Sequence, residues 1–559
     1  MFQALLDPVG GSLGLSALVA CIPLLTFFIM LLGVKAKAHT SAAVALIVAV
    51  IVAVVGFQMP TTLALVSATQ GAAFGAFPIV YIIFMAVWFY QVTELAGRSN
   101  DLRKFFDVVG GGDIRIQACM IAFCFGGLLE ALAGFGAPIA VTATMILALG
   151  VKPTKAALVV LMANTAPVAF GAVGTPITTA GNMVAGGDAA VATQTAQHVA
   201  AIVGYQAPLF AAIVPLIIVF ILDGKKGVRD CWLPALVIGI SFGITQWFCS
   251  NHFAYELTDI VAALVSLACV VVFMRFWSPK GVDGVRARFG LPPVDRNADT
   301  GLNANRTLMA LAPYIIIVAV FGVCKLGISG TLSSFDIKIA WPVISGGAVL
   351  SAAGSDPGTT FNLNLLSTPG TMILVAGLLT AILYSAYSEN GRYKVTMGAA
   401  VKEIFMTFYR MRFSALTIIL VLSLAYVMNF SGQTICIGTF LAGSGAAFAF
   451  ISPMLGWVGT AVTGSDTSAN ALFAGLQYSA AQANAAYAGV DPDLFLASNT
   501  MGGVVGKMVS PQSLAIAALA TQVREADIMK KVLPWSIAFL VGMSILTFLQ
   551  AGVLNFVLP

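Results

Sequence analysis

NTMGGVVGKMVSPQ, residues 499–512, lies in a strongly apolar part of the chain, yet holds Gly502, Gly503, Gly506, Lys507 and the pair Ser510-Pro511. Glycine is a weak helix former and proline lacks the amide donor. The stretch therefore predicts an interrupted transmembrane segment. Backbone freed at membrane depth is tolerated only where protein or a water-filled cavity surrounds it. A second stretch, NTAPVAFGAVGTP at 164–176, has the same layout: Asn-Thr opens both, Gly171 matches Gly506, and Pro176 matches Pro511 at equal spacing. Two interrupted segments at corresponding places in two halves point to the binding site of a secondary transporter.

Composition agrees. Of 559 residues, 59% are hydrophobic and 9% charged, the balance of a polytopic membrane protein. A net charge of +5, spread over short loops, reads as topology signal and not as a nucleic-acid surface. The eight cysteines are scattered without a CxxC, and there are three histidines, so no metal or redox site is expected. No phosphate-binding loop appears, so neither ATP nor another cofactor is expected. The run from Ser12 to Val34 exceeds a signal h-region and predicts a retained first helix.

Spans of about twenty apolar residues fall at 12–34, 40–57, 72–96, 157–177, 198–222, 232–248, 258–278, 307–325, 370–388, 413–430, 494–522 and 533–556. Loops 58–71, 178–197, 249–257 and 431–493 contain no Lys or Arg. The basic clusters fall on one, cytoplasmic, side if both termini are outside. Region 116–150 lies between Arg115 and Lys152, and its middle, Gly134-Phe135-Gly136-Ala137-Pro138, reads as a turn. It predicts a re-entrant helical hairpin opening from the cytoplasm. Region 436–482, turning at Gly464-Ser465-Asp466-Thr467-Ser468, predicts a second hairpin from outside. Gly134 aligns with Gly464, and each hairpin is followed by its interrupted segment, as in an inverted repeat. The polar segment 279–306 joins the halves. The charged, partly amphipathic stretch 389–412 reads as an interfacial helix or a surface connector.

The predicted fold is an all-α polytopic membrane protein with about 12 transmembrane helices and two re-entrant hairpins in an inverted repeat. Scaffold helices occupy 1–115, 198–278 and 307–435. The transport core is 116–197 and 436–523, with the linker at 279–306 and a C-terminal helix in 524–559.

Four stretches resemble the bacterial L-lactate permease family: FCFGGLLEALAGFGAP (123–138), NTAPVAFGAVGTPI (164–177), GWVGTAVTGSDTSANALF (456–473) and NTMGGVVGKMVSPQS (499–513). The resemblance runs nearly end to end. It implies a symporter of the bacterial inner membrane, not an enzyme, that imports L-lactate, glycolate and D-lactate with protons. It also implies an elevator mechanism and a scaffold that forms a homodimer in the lipid bilayer.

A site for such an anion needs donors for the carboxylate, a polar group for the hydroxyl and an apolar wall. Helix N-termini supply backbone donors and a favourable dipole. The expected substrate-binding residues are Asn164, Thr165, Gly136, Ser465, Thr467, Asn499, Thr500, Ser510, Gln512 and Lys507. On that reading Asn499→Ala raises the transport Km or abolishes uptake. The alternative is that these Asn and Thr side chains only satisfy the backbone of broken helices. Glu130, Asp466 and Lys507 are the charges placed deepest in apolar sequence. Each costs roughly 2.5–3.5 kcal/mol at the bilayer centre, so they must face one another, substrate or water. Glu130 and Asp466 are the proton-coupling candidates, and Lys507 meets a carboxylate or the substrate. A structural ion pair is the competing account. Sodium coupling is the nearest rival function, since Ser498-Asn499-Thr500 and unwound carbonyls suit a sodium ion. A channel or a membrane enzyme fits less well, because the duplicated hairpins favour alternating access and no Ser/His/Asp set is present.

Overall fold

The computed structural model describes the chain except residues 35, 133–136, 294–302, 325–327, 353, 355 and 390–392. The predicted tip glycines Gly134 and Gly136 lie outside the described residues. In chain order the helices are α1 Leu13–Leu31, α2 Ala38–Gly56, α3 Thr61–Leu95, α4 Ser99–Val109, α5 Ile114–Leu132, α6 Ala137–Ala148, α7 Pro153–Ala163, α8 Gly171–Val184, α9 Ala189–His252, α10 Tyr255–Phe273, α11 Val282–Arg288, α12 Ala304–Gly322 and α13 Ser329–Ser333. After these come α14 Pro369–Ala386, α15 Met397–Ser431, α16 Gln433–Ala442, α17 Gly445–Thr463, α18 Asp466–Ala483, α19 Asp493–Gly506, α20 Pro511–Thr521 and α21 Glu525–Gln550. Among the described residues, twelve helical stretches are long and apolar enough to cross a membrane.

Most predicted spans have a helical counterpart, with instructive shifts. The span expected at 72–96 begins at Thr61 and is kinked where Phe77 is extended (φ −144°, ψ 125°) ahead of Pro78, as the residue before a proline must be. The spans 198–222 and 232–248 are the arms of α9, which turns at Gly224 (φ +66°, ψ −155°), a conformation open to glycine. The expected interfacial helix is no separate element: α15 runs unbroken from Met397 through the span. Nor is the chain wholly helical. β2 (Ile337–Ala340) pairs antiparallel with β4 (Thr360–Leu363), and β1 (Phe2–Gln3) pairs parallel with β3 (Val349–Leu350). This small lid ties the amino terminus to the loop between α12 and α14.

Two groups of helices stand out by their packing. In one, α15 lies on α2 and α3, and α14 on α3 and α12. A methyl on Gly71 would press on the backbone of Leu422 and Ser423, so α3 and α15 touch main chain to main chain. In the other, α5 to α10 and α17 to α21 pack among themselves. There α6 lies on α20 while α18 lies on α8, so each half's descending arm meets the other half's interrupted segment.

Polar residues fix the ends. Ser465 caps α18 by accepting from Ser468 N (3.2 Å), and Gly464 ends α17 at φ +76°. Ser510 caps α20, accepting from Ser513 N (3.2 Å), with Pro511 at its first position. Asp113 caps α5 by accepting from Arg115 N (2.9 Å). Arg115, fully buried, donates to Asp113 (2.7 Å), Asp223 (3.0 Å) and Asp230 (3.4 Å), and Arg288 reaches Asp223 from α11 (2.6 Å). This charge cluster fastens the foot of α5 to the turn of α9.

Candidate functional site

The 499–512 stretch breaks later than its glycines suggest. Residues 493–506 are one helix, and their glycines serve packing. A methyl on Gly502 would overlap the Pro453 carbonyl, and one on Gly506 the Trp457 carbonyl. Gly456 has the same relation to the Asn499 carbonyl, so α17 and α19 meet at backbone contact. The interruption is Lys507–Val509, a single tight turn, followed by extended Ser510 (φ −66°, ψ 141°). In the first half the break is longer. α7 ends at Ala163, turns occupy the chain as far as Phe170, and Ala172, Val173 and Gly174 are all left-handed (φ +44°, +58°, +71°). Such backbone is disfavoured for residues with a side chain by roughly 1–2 kcal/mol each, and such strain gathers at functional sites.

Around these breaks lies a cavity of about 30 Å³, lined by Glu130, Gly171, Ala172, Thr175, Ser465, Asp466, Thr467 and Lys507 among others. That volume holds a water or two. Lys507 is buried and its ammonium forms an ion pair with the Glu130 carboxylate, itself 1% exposed. The second Glu130 oxygen has no hydrogen-bond partner among the described residues. Gly171 leaves room for this carboxylate, since a methyl there would stand 3.3 Å from Oε1. Asp466 accepts from Thr460 Oγ1 (3.3 Å), and its other oxygen is unpartnered. Its carboxylate rests against Gly503, where a methyl would overlap it. Thr175 and Thr467 join the two halves across the cavity, hydroxyl to hydroxyl at 3.2 Å.

The predicted residues separate into three sets. Glu130, Lys507, Asp466, Ser465 and Thr467 converge on this cavity. Asn164 and Thr165 lie on the far side of Lys507, in a tighter seam with Ile139, Leu161, Met508 and Ser513. The Asn164 side-chain amide oxygen is buried there without a hydrogen-bond partner among the described residues. Gln512 packs over Gly464, and Ser510 is engaged as a cap. Asn499 and Thr500 line neither space. Asn499 accepts from Gln477 Nε2 (2.6 Å) and donates to Asn470 Oδ1 (3.0 Å), which Thr500 Oγ1 also reaches (3.0 Å). Ser452 bonds both Gln477 and Ser498, so the network sews α17, α18 and α19 together.

Sequence reasoning missed the left-handed turn at 172–174. It also missed a buried carboxyl, Asp259 of α10, held by Gln246 Nε2 of α9 at 2.8 Å. The signal for the last was present: an acid just inside the apolar run 258–278.

The model of the family described as "L-lactate permease" matches residues 16–554. The Escherichia coli K12 glycolate permease GlcA is 36% identical over 98% of this chain and 97% of its own length. The Bacillus subtilis L-lactate permease is 35% identical over 99% of each chain, and the Escherichia coli K12 L-lactate permease 36% over the whole of both. Among solved structures, the chain is similar to the Neisseria gonorrhoeae efflux pump MtrF at 12% identity and a TM-score of 0.41, covering 86% of this chain and 82% of that one; so low a score supports no conclusion. The chain belongs to the L-lactate permease family: it is a multi-pass membrane transporter, not an enzyme.

Proposed function

We propose that this member of the L-lactate permease family imports L-lactate and related 2-hydroxy monocarboxylates, glycolate and D-lactate among them, together with protons across the bacterial inner membrane. The observation that carries this reading is the buried Glu130–Lys507 pair on the cavity wall. Ionised, the pair is neutral. An entering monocarboxylate adds one negative charge, which no other described cation at the cavity balances. Lys507 has three N–H donors to divide between Glu130 and the anion. With Asp466 on the same wall in its neutral form, a proton taken up by Glu130 restores neutrality. An unbalanced charge at the bilayer centre costs roughly 2.5–3.5 kcal/mol, so substrate and proton travel together.

Asn164 and Thr165 extend this site beyond Lys507. The carboxylate meets Lys507, the hydroxyl meets the Asn164 amide, which offers both a donor and an acceptor, and Ile139, Leu161 and Met508 face the methyl. Neither space admits a hydroxy acid as it stands, so the arms must part. The crosswise packing of α6 on α20 and α18 on α8 supports two re-entrant hairpins related by an inverted repeat. On this reading α5–α10 and α17–α21 ride as an elevator against α2, α3, α12, α14 and α15, with both termini outside.

The test is uptake of radiolabelled L-lactate by the purified chain in proteoliposomes, with pH and sodium gradients varied separately. Accumulation driven by a pH gradient in sodium-free buffer is expected. Accumulation that follows sodium instead assigns the coupling to that ion, and uptake without counterflow assigns a channel. Glu130→Gln should keep lactate exchange and lose proton-driven accumulation.

A further inference from the structure

Asp259 is fully buried in the first turn of α10. One of its carboxylate oxygens accepts from Gln246, and the other has no hydrogen-bond partner among the described residues. The buried cations of this helix group are engaged elsewhere, Arg115 with Asp113, Asp223 and Asp230, and Lys507 with Glu130. A carboxyl inside a membrane protein without a cationic partner marks a proton or ion path by default. The groups facing it are few. The turn of α5 that carries Glu130 packs against α10, and Glu130 is the charge whose field reaches Asp259. Cys249 and Gln246 face it from α9, and Glu256, itself buried and partnered, precedes it by one turn. Lys507 stands beyond Glu130.

Gln246 connects this carboxyl to the moving part of the site. Its amide nitrogen donates to Asp259 (2.8 Å) and lies 3.4 Å from the Ala166 carbonyl, in the break between α7 and α8. A shift of that break changes how the amide's two hydrogens are divided.

We propose that Asp259 is a second proton-carrying carboxyl of this transporter, exchanging its proton with Glu130, and that Gln246 is a positioning residue coupling the exchange to the first interrupted segment. The proton passes from the carboxyl of Asp259 to the carboxylate of Glu130, on the turn of α5 that packs against α10. Asp259 becomes the anion as Glu130 becomes neutral, and the reverse transfer resets the pair. This rests on the proton-coupled reading above.

The experiment uses the full chain in sodium-free proteoliposomes with L-lactate. It follows counterflow without gradients, pH-gradient-driven accumulation, and proton entry by a trapped pH dye. Asp259→Asn should keep counterflow and lose pH-gradient-driven accumulation and lactate-evoked proton entry. Asp259→Glu should restore both. Gln246→Leu, which leaves the carboxyl in place, should move the pH midpoint of accumulation while counterflow persists. Wild-type accumulation and proton entry in Asp259→Asn overturn the proposal. So does an unmoved pH profile in Gln246→Leu, which decides the matter if Asp259→Asn does not fold. A wild-type chain that exchanges lactate but ignores the pH gradient overturns the proton-coupled reading itself, a distinct result.

Discussion

Asn164 and Asn499 stand at matching places in the two halves, but their surroundings differ. Asn499 is held by Gln477 and Asn470 in a closed network, while the Asn164 side-chain oxygen is buried with no partner among the described residues. The turns that follow differ in the same sense. The second half breaks over one tight turn between well-packed helices; the first breaks through several residues, two of them left-handed without being glycine. Matching sequence has been put to two uses: the second half is the braced side of the site, and the first keeps unsatisfied groups and strained backbone for a partner or a movement.

The hardest blow to this contrast is at Lys507, which serves both halves. Lys507→Met strands a buried Glu130 carboxylate and should cost about 3–5 kcal/mol and abolish uptake. Thermal unfolding in detergent and proteoliposome assays check this, and adding Glu130→Gln should recover folding but not accumulation. Next comes Asn499→Ala, which leaves Gln477 and Asn470 groups unsatisfied at about 1–3 kcal/mol. It should lower the unfolding midpoint, whereas Asn164→Ala leaves the midpoint nearly unchanged and raises the Km for lactate. If both variants fall equally in stability, the contrast is broken. Ala172→Gly relieves one left-handed residue and should raise stability by about 1 kcal/mol, while Gly503→Ala, its opposite in the braced half, crowds Asp466 and should lower it by about 1–3 kcal/mol. The smallest effect is expected for Thr175→Val, where one hydroxyl contact worth about 1 kcal/mol is lost and the unfolding midpoint drops slightly.

Much of this arrangement was legible in the chain. Apolar runs of membrane length gave the spans, because bilayer thickness admits few alternatives. The equal spacing of Asn-Thr, Gly and Pro exposed both interrupted segments. Glu130 and Lys507 could be singled out because two buried charges in apolar sequence must find each other, and they do. What stayed hidden depends on three-dimensional neighbours. Gly502 and Gly506 weaken a helix in isolation, yet here they let α17 approach. Ala172 and Val173 carry no local sign of a left-handed turn. Asn499 and Asn164 cannot be told apart by their own residues, since the difference lies in Gln477 and Asn470 on another helix.

The knot of charge at Arg115 has a consequence for how any such machine could work. Three aspartates from two helices share one buried guanidinium, so prising the foot of α5 from the elbow at Gly224 would break three ion pairs at once. The start of α5 and the elbow of α9 are thereby tied into one piece, held by charge where the neighbouring helices are held by apolar packing.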